Sequence, residues 1–131
     1  MKTQPVNVLD QVDEEFAETL VHLGLKRNVA KVLTYLKNIG EVTSRDLEMG
    51  SDLRQPEVSI AMRELKGLNW VTEREEKKPG KGRPFKIYKL KTNVSTIIKH
   101  LEDEKTKETN EILKNIKRLK ELASNASDAS D

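Results

Sequence analysis

Cysteine is absent from the 131 residues, which excludes disulfides and thiolate metal sites. No continuous apolar run follows Met1-Lys2-Thr3-Gln4-Pro5. The chain therefore reads as having no signal peptide and no membrane span, and a cytoplasmic protein is expected. There are only two histidines, His22 and His100. They lie far apart on separate predicted helices, a pattern of core or dimer edges rather than a metal site. The acidic pairs Glu14-Glu15 and Glu75-Glu76 read as solvated. Gly80-Lys81-Gly82-Arg83 lacks the spacing of a phosphate-binding loop and does not precede a helix. No nucleophile has a recognisable base beside it. Neither an enzyme nor a cofactor is expected.

What is present is charge. Hydrophobic and charged residues each make up 35% of the chain, enough for one modest core with little apolar sequence to spare. The net charge is +2, but its distribution is uneven. Residues 41–70 hold four basic and six acidic groups, a net of −2, whereas residues 71–92 hold eight basic and three acidic, a net of +5. The positive charge is gathered into one short segment.

Periodicity orders the chain. Residues 1–9 read as a flexible or extended arm. A first helix starts at Asp10, with Val12, Phe16, Leu20 and Leu23 as its stripe and Gly24 as its stop. A second spans about Lys26 to Asn38, with Val29, Val32, Leu33 and Leu36 inward and Gly40 beyond its end. Glu41-Val42-Thr43 is a short extended piece. Ser44 is the expected N-cap of a third helix, Arg45 to about Met49, with Leu47 inward and Gly50 as its stop. After the turn Ser51–Arg54 a fourth helix begins near Pro56, where proline is tolerated, and stops at Gly67. Trp70–Arg74 and Phe85–Leu90 read as paired strands around a loop rich in Gly, Pro and Lys. Residues 93–122 read as one long helix. The tail, 123–131, contains only Ala, Ser, Asn and Asp and is expected to be disordered.

On the fourth helix Val58, Ala61, Met62 and Leu65 form the core stripe, and Pro56, Ser59, Ile60 and Arg63 face away. Such an outer face presents donors to base edges: Arg63 to guanine, and Ser59 and Gln55 to bases or phosphates near the helix N-terminus. With Arg54 these make a candidate DNA-reading set. The other reading is a solvated polar face, with Ile60 packed on a neighbouring element. Glu57 and Glu64 would repel phosphates, so attraction must come from elsewhere. The loop and its flanks supply it: Lys77, Lys78, Lys81, Arg83 and Lys86 carry five positive charges with no acid among them. Gly82 with Gly80 lets the backbone approach another surface, and Arg83 is the choice for insertion into a narrow minor groove. A solvated basic turn is the alternative.

The order helix, helix, strand, helix, helix, strand, wing, strand, long helix is that of a winged helix-turn-helix, mainly α with a small β-hairpin wing. The stretch Arg54-Gln55-Pro56-Glu57-Val58-Ser59-Ile60-Ala61-Met62-Arg63-Glu64-Leu65, then Trp70-Val71, then Gly80-Lys81-Gly82-Arg83-Pro84-Phe85-Lys86-Ile87-Tyr88-Lys89-Leu90 resembles archaeal winged-helix transcriptional regulators of the MarR, ArsR and TrmB-like kind. The resemblance covers roughly residues 25–92. It implies that the Val-Ser-x-Ala helix is the recognition helix, that Gly-Arg-Pro is the wing tip, and that the protein is a dimeric, sequence-specific binder of double-stranded DNA. Metal sensing of the ArsR type needs cysteines or clustered histidines and is not carried over.

The expected domains are thus the arm 1–9, a DNA-binding domain 10–92, a C-terminal dimerisation helix 93–122 and the tail 123–131. A heptad register places Ile98, Lys105, Ile112 and Leu119 on one seam position and Leu101, Glu108, Asn115 and Leu122 on the other. Such a helix is too long to bury its stripe on one small domain. Pairing with a second copy is expected through Ile98, Leu101, Ile112, Ile116 and Leu119, with Phe16 and Leu20 of the first helix contributing. A monomer whose helix breaks near Asp103–Thr109 and folds back is the alternative. Two functions stay open: a homodimeric transcription regulator, and a winged-helix protein-interaction module of a transcription or replication assembly. The sequence names no effector ligand.

Overall fold

The computed structural model describes residues 10–77 and 84–130, with side chains to 125. Its elements are α1 (Gln11–His22), α2 (Arg27–Asn38), β1 (Val42–Thr43), α3 (Ser44–Ser51), α4 (Gln55–Gly67), β2 (Val71–Lys77), β3 (Pro84–Leu90) and α5 (Val94–Ser130). Two compact units result, one ending at Ile97 and one beginning at Ile98. The first holds a three-stranded antiparallel sheet in the order β1-β3-β2.

Helix α2 is the centre of this unit. Its expected stripe is buried, and so are Ala30, Thr34 and Tyr35. The Thr34 hydroxyl donates to the Ala30 carbonyl at 2.7 Å, which satisfies it without water. The core is completed by Leu47 of α3, by Val58, Ala61, Met62 and Leu65 of α4, and by Val42, Trp70, Val71 and Tyr88 around the sheet.

On α1 the inward face is turned by about one residue from the expected stripe. Val12 and Leu23 are exposed, and Asp13, Ala17 and Leu20 point in. A buried carboxylate is tolerated there because its partners are in place. Asp10 caps the helix by accepting from the Asp13 N–H at 2.8 Å, and Asp13 accepts in return from the Asp10 N–H at 3.2 Å. Lys37 reaches Asp13 at 3.3 Å and lies 4.7 Å from the Phe16 ring centroid. The Asn38 amide, with the Asp10 N–H and the Lys37 ammonium, holds the Asp13 carboxyl below the usual carboxylate range, against the opposing effect of burial. A depressed folded value means that this stabilisation is present above the unfolded value of about 3.9 and is lost as pH falls through the folded one. Asp13→Asn is therefore expected to cost about 1 kcal/mol in urea unfolding at neutral pH. That cost should shrink in acid; a penalty unchanged at pH near 3 would contradict the assignment.

Three boundaries differ from the sequence expectation, each for a local reason. Thr43, not Ser44, caps α3: its hydroxyl accepts from the Asp46 N–H and its own N–H donates to the Asp46 carboxylate, both at 3.1 Å. Gly50 does not stop α3 but lies inside it, against the Tyr35 ring, where an added β-carbon would overlap the ring atoms. The stop is Asp52, whose φ of 56° and ψ of 49° are left-handed. Gly67 is likewise helical, and the chain turns at Asn69 with φ 67°. The hairpin strands are longer than expected, pairing as far as Lys77 with Pro84.

The second unit continues α5, a 37-residue helix of about 55 Å. It runs without interruption through Asp103–Thr109 and past Leu122, where the sequence expectation placed a break or an end. No glycine or proline follows Pro84, and Ala123, Ala126 and Ala129 favour helix, so nothing local terminates it. No helix among the described residues is long and apolar enough to cross a membrane.

Candidate nucleic-acid interface

Helix α4 begins where the Arg54 N–H donates to the Glu57 carboxylate at 2.8 Å. Pro56 occupies the first turn, where its missing N–H costs nothing. Burial of Val58, Ala61, Met62 and Leu65 then fixes which side faces outward. Gln55, Pro56, Ile60 and Arg63 are exposed and Ser59 is half-buried, opposite the core stripe, while Arg54 is exposed at the N-cap just before the helix. Gln55 donates to the Ser59 hydroxyl at 3.0 Å, which pre-orients both polar groups. Ile60 is 58% exposed and packs on no neighbouring element that would hide it.

Several of the nearby acids are already engaged. Glu57 serves the helix start. Glu64 pairs with Lys26 at 3.2 Å. Glu73 on β2 receives Lys66 at 3.1 Å and Lys86 at 3.5 Å. Glu41 takes Arg74 at 2.8 Å, and Arg74 also reaches Glu76 at 3.0 Å. The Arg74 guanidinium beside Glu41 lowers the Glu41 carboxyl, and the two carboxylates raise Arg74. Among the described residues Arg54, Arg63 and Lys77 form no ion pair. Glu41, Glu64 and Glu73 thus have internal cation partners, whereas Glu57 accepts only a backbone N–H and Glu48 and exposed Asp52 form no ion pair among the described residues, so the acidic character of the helix-turn-helix is offset only in part.

The structure also qualifies the basic wing. Lys77 is exposed at the end of β2, and Lys86 is exposed on β3 but tied to Glu73. Lys78, Lys81, Gly82 and Arg83 lie outside the described residues. Sequence reasoning passed over three contributors. Arg45 is an exposed cation on α3, unpaired among the described residues. Lys66 and Glu73 meet only through the packing of α4 on β2, and no periodic signal marks them.

For the expected pairing surface, Leu20 is 4% exposed within the first unit, so it offers little surface to a second copy. Phe16 is half-buried beneath Lys37. Ile98, Ile112, Ile116 and Leu119 are exposed on α5, joined by Leu113 and Leu122. His22 and His100 are both exposed, and among the described residues no group of three metal-ligating side chains could hold an ion.

No family model and no curated protein matches the sequence. Solved structures do match. A possible transcriptional regulator from Methanosarcina mazei Go1 superposes with a TM-score of 0.58 at 17% identity, over 78% of this chain and 87% of that one. TrmBL2, described as an archaeal chromatin protein with a novel mode of DNA binding, superposes with a TM-score of 0.63 at 20% identity; the match covers 83% of this chain but only 39% of TrmBL2. NadR in complex with 4-hydroxyphenylacetate gives 0.50 at 17%, over 95% and 96% of the two chains. At such identities the likeness establishes the fold. It is the winged helix-turn-helix that the recognition-helix and wing motifs implied, here with a long C-terminal helix.

Proposed function

We propose that this protein is a transcription regulator that binds double-stranded DNA as a homodimer. The observation that carries the reading is the outer face of α4: Gln55, Pro56, Ile60 and Arg63 lie exposed opposite the core stripe, with Arg54 exposed just before the helix and Glu64 paired with Lys26. In this reading α4 enters the major groove, with Arg63 directed at guanine and Ile60 at a thymine methyl. Lys77, Lys78, Lys81, Gly82 and Arg83 meet phosphates or the minor groove, and Lys86, paired with Glu73, stands in reserve. The exposed row Ile98, Ile112, Ile116 and Leu119 on α5 supports pairing of two copies. TrmBL2, a chromatin protein of the same fold, supports DNA as the partner.

The test is fluorescence anisotropy on random and selected duplexes across a salt series. Affinity is expected to fall steeply and linearly on logarithmic axes as phosphate-bound counterions are displaced. The selected site should be two-fold symmetric, with half-sites about 10 base pairs apart or a multiple of that. No duplex binding at low salt would sink the reading. It would favour the protein-interaction module, for which the exposed Ile60 would then be the contact residue.

A further inference from the structure

Glu73 is the one carboxylate among the described residues that joins the recognition helix to the wing hairpin. One of its oxygens takes Lys66, from the last turn of α4, at 3.1 Å; the other takes Lys86, from β3, at 3.5 Å. Its side chain is 21% exposed, while the two lysine side chains are 47% and 49% exposed. Directly across the ladder from Glu73 stands buried Tyr88, and Lys86 stands opposite Glu75, yet Lys86 reaches diagonally to Glu73. The carboxylate is therefore the more sheltered member and the lysines are the more exposed ones. Burial works to raise the Glu73 carboxyl, but Lys66 and Lys86 outweigh it and hold it low. The group stays ionised and available to both.

We propose that Glu73 is a positioning and specificity-determining residue: an internal substitute for a phosphate that sets the wing against the recognition helix and withholds two lysine charges from indiscriminate duplex binding. This rests on the DNA-binding reading above. A cation already satisfied at about 3 Å gains little from a passing phosphate, because it must give up one charge-assisted bond to make another. Non-specific affinity, which is almost wholly electrostatic, is lowered by that internal competition. Base readout by Arg63, Gln55 and Ser59 does not pass through Glu73 and is unaffected. The discrimination between a cognate and a random duplex is widened as a result. The net of +5 at residues 71–92 already includes the negative charge of Glu73, which Lys66 of α4 shares with Lys86.

The experiment uses the full chain carrying Glu73→Gln, which keeps the shape and removes the charge. Binding is measured to a random-sequence duplex and to a duplex recovered by selection, each over a salt series, with thermal melting alongside. Random-duplex affinity should rise roughly three- to tenfold, and the salt slope should steepen by about 1 to 2 as the freed lysines each displace a counterion. The selected duplex should gain less, so the ratio of the two affinities falls. In a Lys66→Gln/Lys86→Gln background the same Glu73→Gln change should leave the slope unmoved. An unchanged slope in the otherwise native chain, or weaker binding to both duplexes with a lowered melting temperature, would overturn the proposal and reduce Glu73 to a structural tie. If the native chain binds no duplex at low salt, it is the DNA-binding reading that fails.

Discussion

Arg63→Ala is expected to cost about 1–3 kcal/mol on the selected duplex, a loss of roughly five- to 150-fold, and very little on a random one. The guanidinium is exposed on the outer face of α4, has no ion-pair partner among the described residues, and sits one helical turn from Ile60 and Ser59. Its removal disturbs no core residue, because the inward stripe of α4 is Val58, Ala61, Met62 and Leu65. Stability should therefore hold while sequence preference collapses at the base pair that Arg63 reads. Substitution of Lys81 or Arg83 to Ala should behave oppositely, weakening every sequence to a similar degree and lowering the salt slope by about 1 for each phosphate no longer neutralised. Binding-site selection on the variants, followed by anisotropy at several salt concentrations, separates the two patterns. Equal losses on cognate and random duplexes for Arg63→Ala would remove α4 from the reading role.

The second large effect is on the fold that presents α4. Gly50 lies inside α3 with the Tyr35 ring of α2 pressed on it, and a β-carbon there would overlap three ring atoms. Tyr35 is 4% exposed, and Leu33 and Leu36 of the same helix are buried at 2% each, so the ring is enclosed in the core. Gly50→Ala is expected to destabilise by about 3 kcal/mol through overpacking, and to lower the melting temperature by roughly 10 °C. The usual gain in helix propensity from Gly to Ala, about 1 kcal/mol, works in the other direction and is outweighed. In a double-mutant cycle with Tyr35→Leu, part of the cost should be recovered, because the overlapping atoms are gone. Additive losses would show that Gly50 matters for some reason other than its packing on Tyr35. Since α3 precedes the turn into α4, a shift at Gly50 should also reduce duplex affinity at temperatures where the chain is still folded.

These two residues show what kinds of information the chain carries locally. Arg63 was legible because a helix repeats about every 3.6 residues: once Val58, Ala61, Met62 and Leu65 are apolar, the direction of the remaining side chains is fixed. The same rule located α2 and α5, and the two-residue repeat of strands located the hairpin. Gly50 was misread as a stop because glycine has two uses that look alike in one dimension, a left-handed turn or a close approach, and only the ring of Tyr35 decides between them. Thr43 and Asn69 took over boundary roles expected of Ser44 and Gly67 for a related reason, since several adjacent residues could each have capped or turned the chain.

The sequence by itself thus determined the element order, the outer face of α4, the place of the hairpin and the presence of a long C-terminal helix. All of these follow from spacing along the chain. Only the tertiary structure decided how much of the charge is free. Lys66, Glu73 and Lys86, like Arg74 with Glu41, are separated in sequence and meet because helix α4 packs on β2 and β1 pairs with β3. Charge summed along a chain cannot distinguish a lysine facing water from one bound to a carboxylate, because the energy of a pair depends on distance in space.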